Sequence, residues 1–183
     1  MNKRHAIRMA LLGATAMVGV GSALDAVALT TSGTISVTAT VVDNCAFTTT
    51  PVAFGNYDPA VVNAAGGANL AGTGTLLVTC TTGDAISIDL DAGGNPFAGS
   101  SATVPLRQMI SAGNLLGYSL FWPSAAGAGG TVTATVWGTG GGTSFGYSAT
   151  GVQQTINVFG SVAKGQNVPA GSYSDTVNVV VNF

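Results

Sequence analysis

Ser161-Val162-Ala163-Lys164 spells S-x-x-K, the nucleophile motif of penicillin-binding proteins and serine β-lactamases. That chemistry needs the serine at a helix start together with S-D-N and K-T-G elements. Gly160 and Gly165 bracket the quartet and neither companion motif occurs, so the match reads as coincidence. Asp89, Asp91 and Asn95 have the flavour of a calcium loop. The EF-hand pattern fails at its third position, Gly93, and has no closing glutamate, which leaves a solvated strand end as the better reading. The sequence contains no Glu, and His5, close to its start, is the only histidine. General acid–base or nucleophilic catalysis would rest on Asp, Ser, Lys or Tyr alone. The expectation is therefore a protein that is not an enzyme and carries no cofactor and no metal.

Composition points the same way. With 183 residues the chain suits one domain with a real core. Three of its five cations, Lys3, Arg4 and Arg8, fall in the first eight residues, leaving Arg107 and Lys164. So few cations cannot hold a phosphate backbone by multiple ion contacts, which excludes nucleic acid as a partner. Residues 1–28 combine a basic start, an apolar run from Met9 to Val20 and the small-x-small site Ala26-Val27-Ala28. These are the three parts of a secretory signal peptide. The run is shorter than the roughly 20 residues that span a bilayer, so no membrane span is expected once the leader is removed. Cleavage after Ala28 would leave six aspartates against Arg107 and Lys164, a net charge of −4. No LPxTG-like sorting signal with a hydrophobic tail appears at the C-terminus.

Export also assigns the cysteines. Cys45 and Cys80 are the only two, 35 positions apart, and in an oxidising compartment a lone pair reads as a disulfide. A two-cysteine metal site is the rival, with no His or Glu in the mature chain to complete its ligand set.

The elements around these residues are strands. In Ser172–Phe183, Val177, Val179, Val181 and Phe183 share one face while Thr176, Asn178 and Asn182 share the other, the period of a half-buried strand. So apolar a strand needs neighbours on both edges, and a further strand beyond it would come from elsewhere in the chain or from another molecule. Thr34–Val42 alternates in the same way, with Ile35, Val37, Ala39 and Val41 on one face. Periodicity alone reads it as the first strand of the domain's own sheet. Between them lie a strand and turn over Ala46–Gly55, a turn at Asn56-Tyr57-Asp58-Pro59, and strands at Gly74–Cys80 and Ala85–Asp91 joined as a hairpin by Thr81–Asp84. Val104–Ile110 and Leu115–Trp122 flank a four-residue turn. Thr131–Trp137 and Thr155–Gly160 follow, with Gly-rich tracts at Ala125–Gly130 and Gly138–Gly146. Seven or eight short strands without a helix predict an all-β, immunoglobulin-like β-sandwich.

The chain resembles the spore coat protein U domain family, which includes subunits of archaic chaperone–usher pili of Gram-negative bacteria. The resemblance rests on Cys45 with Pro51–Pro59, on Gly74–Cys80, Leu116–Phe121 and Thr135–Gly138, and above all on Gly165–Val177, GQNVPAGSYSDTV. The Gly-rich inserts depart from the family's usual shorter loops. The resemblance implies a sandwich lacking its final strand and completed by donor-strand complementation, a form of β-strand addition. Residues 29–42 would be a donor-strand extension and 43–183 the pilin domain. Ile35, Val37, Ala39 and Val41 would plug a neighbour's groove, and Val177, Val179, Val181 and Phe183 would wall the groove that receives them. Implied partners are neighbouring subunits in a head-to-tail homopolymer or heteropolymer, a periplasmic chaperone and an outer-membrane usher. The implied location is a pilus on the surface of a Gram-negative bacterium, with roles in adhesion and biofilm formation. Two alternatives are a tip adhesin or lectin that binds through its Gly-rich loops with Trp122, Phe145 and Tyr147, and a self-complete secreted coat protein.

Overall fold

The computed structural model describes residues 28–183. The predicted leader lies outside the described residues except for Ala28. Residues 28–39 belong to a unit separate from Thr40–Phe183, and no strand occurs before Cys45 among the described residues. Nine strands follow: β1 Cys45–Ala53, β2 Leu70–Cys80, β3 Ala85–Leu90, β4 Arg107–Ser111, β5 Asn114–Pro123, β6 Val132–Val136, β7 Phe145–Ser148, β8 Gln154–Val162 and β9 Val179–Asn182. No helix occurs among the described residues, so none there is long and apolar enough to cross a membrane.

Two sheets form a sandwich. The larger runs β1-β2-β8-β5-β4 with β6 also on β5, and the smaller runs β7-β3-β9, every pairing being antiparallel. Alternation along the strands builds the core between them: Leu76 and Val78 of β2, Leu116 and Leu120 of β5, and Ile156, Val158 and Val162 of β8 meet Ile86, Ile88 and Leu90 of β3. Trp137 is fully buried, its indole N–H donating to the Ile88 carbonyl at 2.8 Å and its ring meeting Phe145 edge-on. A buried indole requires such an acceptor, since an unpaired donor in the core costs about as much as a lost hydrogen bond.

Three local expectations change. Thr81–Asp84 does not close a hairpin: β2 and β3 lie in different sheets, and the turn, with Gly83 at φ 95°, carries the chain from one layer to the other. The β4–β5 loop is only Ala112-Gly113, because Ser111 already pairs with Asn114. Both loop residues have positive φ (45° and 84°), the twist that a two-residue hairpin favours. Thr34–Val42 forms no strand, because an alternating segment becomes one only when another strand supplies ladder partners. The Gly138–Gly146 tract also hides the start of β7; Gly140, Gly141 and Gly142 turn the chain at φ 66°, 57° and 82° and leave Phe145 buried.

Cys45 and Cys80 face each other in the β1–β2 register, bridged at a Cα separation of 4.1 Å. The bridge ties edge strand β1 to the sheet. Replacing both cysteines by serine is expected to lower unfolding free energy by about 2–4 kcal/mol in urea titration; an unchanged midpoint would show that β1 does not depend on it.

Candidate functional site: an apolar cleft between two sheet edges

The two layers differ in width, and the difference creates the site. Three strands cannot cover the inner face of six. Among the described residues β1 ends the larger sheet and β9 ends the smaller, and neither has a strand on its outer edge. Between these edges lies a cleft of about 400 Å³. Its floor is core, with Leu76, Leu120 and Val158 from the larger sheet and Leu90 from the smaller. One wall is Thr49–Val52 with Phe54, and the other is Tyr173–Val177 with Val179. A second hollow of about 660 Å³, reaching Leu70, Leu116, Val162 and Val168–Ser172, shares Val52, Phe54, Met109 and Tyr173 with the first, so the two form one trough.

Each wall has an identifiable cause. Along the first, pairing with β2 slips between Thr50 and Ala53, around Pro51, which has no N–H to give the ladder. Beyond the slip the Phe54 ring lies across Gly72 and Gly160, themselves a cross-strand pair. A Cβ at either glycine would come within 2.7 Å of that ring. Phe54 also meets Tyr118 edge to face at 5.9 Å.

The second wall is held by polar anchors. Ser174 exchanges backbone hydrogen bonds with Ile110 of β4 (2.9 and 3.2 Å). Five residues later the chain enters β9 in the other sheet, so Ser172–Phe183 is not one strand but a crossing between layers that is strand only at Val179–Asn182. At the crossing the Tyr118 hydroxyl donates to Asp175 Oδ2 at 2.7 Å, while Asp175 Oδ1 accepts the Gly94 N–H at 2.9 Å. Burial, reinforced by this bond to a carboxylate, drives the Tyr118 pKa far above its usual value. Asp91 accepts from the Gly93 N–H and from both the N–H and side chain of Asn178. Burial pushes its pKa up, but these bonds and the nearby Arg107 outweigh that and hold it below the ordinary carboxylate value. Arg107, almost completely buried, gives Nε to the Asp91 carbonyl (2.8 Å) and Nη2 to the carbonyls of Leu90 (3.0 Å) and Trp137 (2.6 Å). It thereby clamps β4 to the end of β3. The segment before the wall is pinned by Gln166, whose side-chain amide accepts the Gly117 N–H (2.7 Å) and donates to the Gly117 carbonyl (2.8 Å), as a peptide unit of a neighbouring strand would.

The predicted site residues fall as follows. Val177 and Val179 line the cleft; Val181 packs against the core further along β9, and Phe183 is exposed. Ile35, Val37 and Val41 are 90%, 89% and 82% exposed, and Ala39 is exposed as well. Phe145 is buried, with Trp122 and Tyr147 packed against it and the core, so these three are not a surface aromatic patch. Ser161 lies on β8 and Lys164 donates to the Gly67 carbonyl, so the S-x-x-K quartet has no helix to work from. Asp89 accepts from Ser144 and Asn182, and Asn95 donates to Asp175. Sequence reading missed Phe54 and its two glycines, the Tyr118–Asp175 bond and buried Arg107. That Arg107 is the single arginine beyond residue 28 and falls inside a segment read as a strand was the available signal for the last.

Fold and cleft together define an all-β sandwich open along one seam. The Spore Coat Protein U domain model matches residues 31–180, and the chain belongs to that family. Protein U of Myxococcus xanthus is 42% identical over 133 residues, spanning 71% of this chain and 70% of Protein U. A chain in the crystal structure of the CsuC–CsuE chaperone–tip adhesion subunit pre-assembly complex, from the archaic chaperone–usher Csu pili of Acinetobacter baumannii, superposes with a TM-score of 0.51 at 23% identity. The superposition covers 79% of this chain but 40% of that one, and the likeness is one of fold.

Two outcomes follow from the walls. Gly160→Ala is expected to displace Phe54 and Val52 and cost about 1–3 kcal/mol in urea unfolding, and the costs of Gly160→Ala and Phe54→Ala should be less than additive in the double variant; no cost in the single variant would refute the contact. For Asp91, a folded pKa below the unfolded value of about 3.9 means its contribution is fully present above that pH and lost as pH falls through the folded pKa. Asp91→Asn should therefore destabilise the chain at neutral pH and flatten the fall in stability below about pH 4; parallel curves for variant and wild type would contradict this.

Proposed function

We propose that this chain is a structural, non-enzymatic subunit of a chaperone–usher type pilus, exported to the cell surface and polymerised by donor-strand exchange. One observation carries the reading: an apolar trough open between two unpaired sheet edges, in a chain that also holds an alternating, fully exposed segment. The trough offers unpaired backbone on both sides and apolar floor between, which is what an added β-strand uses. Ile35, Val37, Ala39 and Val41 are the plug, supplied by the next subunit. Val177 and Val179, with Val181 and Phe183 beyond them, form the wall that receives it.

The magnitudes support the assignment. Burying Ile35, Val37 and Val41 at roughly 1.5–3 kcal/mol each gives about 5–9 kcal/mol before Ala39 and the main-chain bonds are added. Because the contact is head-to-tail, repetition gives an open filament. Until it forms, an open apolar edge recruits wrong partners. A periplasmic chaperone covering the trough and an outer-membrane usher that passes subunits on are the partners this requires, and adhesion and biofilm formation are the roles such a fibre serves. Family membership and the superposition on a chain of a pilus pre-assembly complex support the same reading.

Removal of Leu29–Val41 with the leader retained is expected to abolish fibres while the subunit still co-purifies with its chaperone, because only the donor is lost. Val179→Asp should instead place an unpaired charge in the trough at a cost of several kcal/mol and lead to periplasmic degradation. Fibres of normal length from the truncated chain would rule out donation by this segment. A self-complete domain would give a stable chaperone-free monomer at full length.

A further inference from the structure

If the trough accepts residues 35–41 of another copy, it can in principle accept its own, and the sequence permits this. A hairpin with Val42-Asp43-Asn44 as a three-residue loop would align Val41 with Cys45, Ala39 with Phe47 and Val37 with Thr49. Cys45, Phe47 and Thr49 stand opposite buried Cys80, Val78 and Leu76, so this register turns the apolar set of the segment inward. Asp and Asn are suitable loop residues because they tolerate the left-handed backbone region. A loop one residue shorter or longer would put Thr40, Thr38 and Ser36 inward instead. Productive self-filling thus requires a reversal confined to Val42–Asn44.

Two of those three residues, Val42 and Asn44, are held toward β2. Beyond the Cys45–Cys80 pair, Asn44 is hydrogen-bonded to Thr81. The Thr81 N–H donates to the Asn44 carbonyl at 3.0 Å, and the Asn44 N–H donates to Thr81 Oγ1, also at 3.0 Å. The hydroxyl itself has the carbonyls of Asn44 and Val42 within 3.4 and 3.5 Å. Thr81 therefore extends the β1–β2 hydrogen bonding past the disulfide and ties Val42 and Asn44 to the end of β2. A turn toward the opposite edge of β1 would break these bonds. We propose that Thr81 is a positioning residue that keeps a subunit's N-terminal segment out of its own trough, so that the occupant is a second copy of this chain. The inference rests on the trough being a strand acceptor.

The test uses the full chain, diluted from denaturant with a labelled synthetic peptide of residues 29–42 as the probe. Wild type and Thr81→Ser should take up the peptide, whereas Thr81→Val should take up about tenfold less, the factor that about 1.4 kcal/mol represents, because its own segment occupies the trough. Thr81→Val combined with Val37→Asp spoils the internal competitor and should restore uptake. Equal uptake by wild type and Thr81→Val overturns the role of Thr81 alone. Failure of the double variant to recover overturns it too, by showing that Thr81→Val merely misfolds. No uptake by any chain overturns the acceptor reading and this inference with it.

Discussion

The structure depends on one constraint: backbone N–H and C=O groups along a strand must be paired, and among the described residues β1 and β9 present adjacent edges that no strand pairs. In an ordinary two-layer domain the outer strands are short, charged or covered. Here the edge strand β1 is nine residues long, contains no charged side chain, and borders apolar floor rather than solvent-facing polar residues. A main-chain ladder on two sides and a hydrophobic strip between them match the requirements of a strand and of little else. That specificity of shape, more than any single side chain, underlies the proposed assembly.

The trough must stay open and of constant width without the strand that would fill it. The burden falls on side chains that join the layers from behind. Arg107 links β4 to three carbonyls at the far side of the core, and Tyr118 links β5 to Asp175 at the crossing. Asp91 draws Asn178 against the end of β3. Apolar contacts alone would let the layers close on the gap, since burial is non-directional. Directed bonds to charged groups set a spacing, and they are among the stronger ones available to a protein.

Periodicity made most of the fold legible. Seven of the strands, β1 to β6 and β8, coincide with runs read as strands from the sequence, β9 lies within Ser172–Phe183, and the disulfide follows from an expected export signal and a lone cysteine pair. What escaped was whatever depends on long-range pairing. The Thr81–Asp84 turn looks like a hairpin because local sequence does not say which sheet the next strand joins. Ser172–Phe183 alternates except at Val180, yet Ser174 and Val179 belong to different layers. Thr34–Val42 alternates as well as any strand in the protein but has no partner edge within the described residues. Phe54 over Gly72 and Gly160 was invisible for the same reason: the glycines are separated by 88 positions and meet only through the β2–β8 register.

In the proposed fibre the strand filling the trough of one copy comes from another. Mixed assembly of two isotopically distinct preparations, one carrying Val37→Cys and the other Val177→Cys, tests this most directly through mass spectrometry of the oxidised product. The expected product is a disulfide joining peptides of different isotopic label, formed between chains. Absence of any cross-labelled product, while a separately prepared chain carrying both substitutions forms the bond within itself, would contradict it.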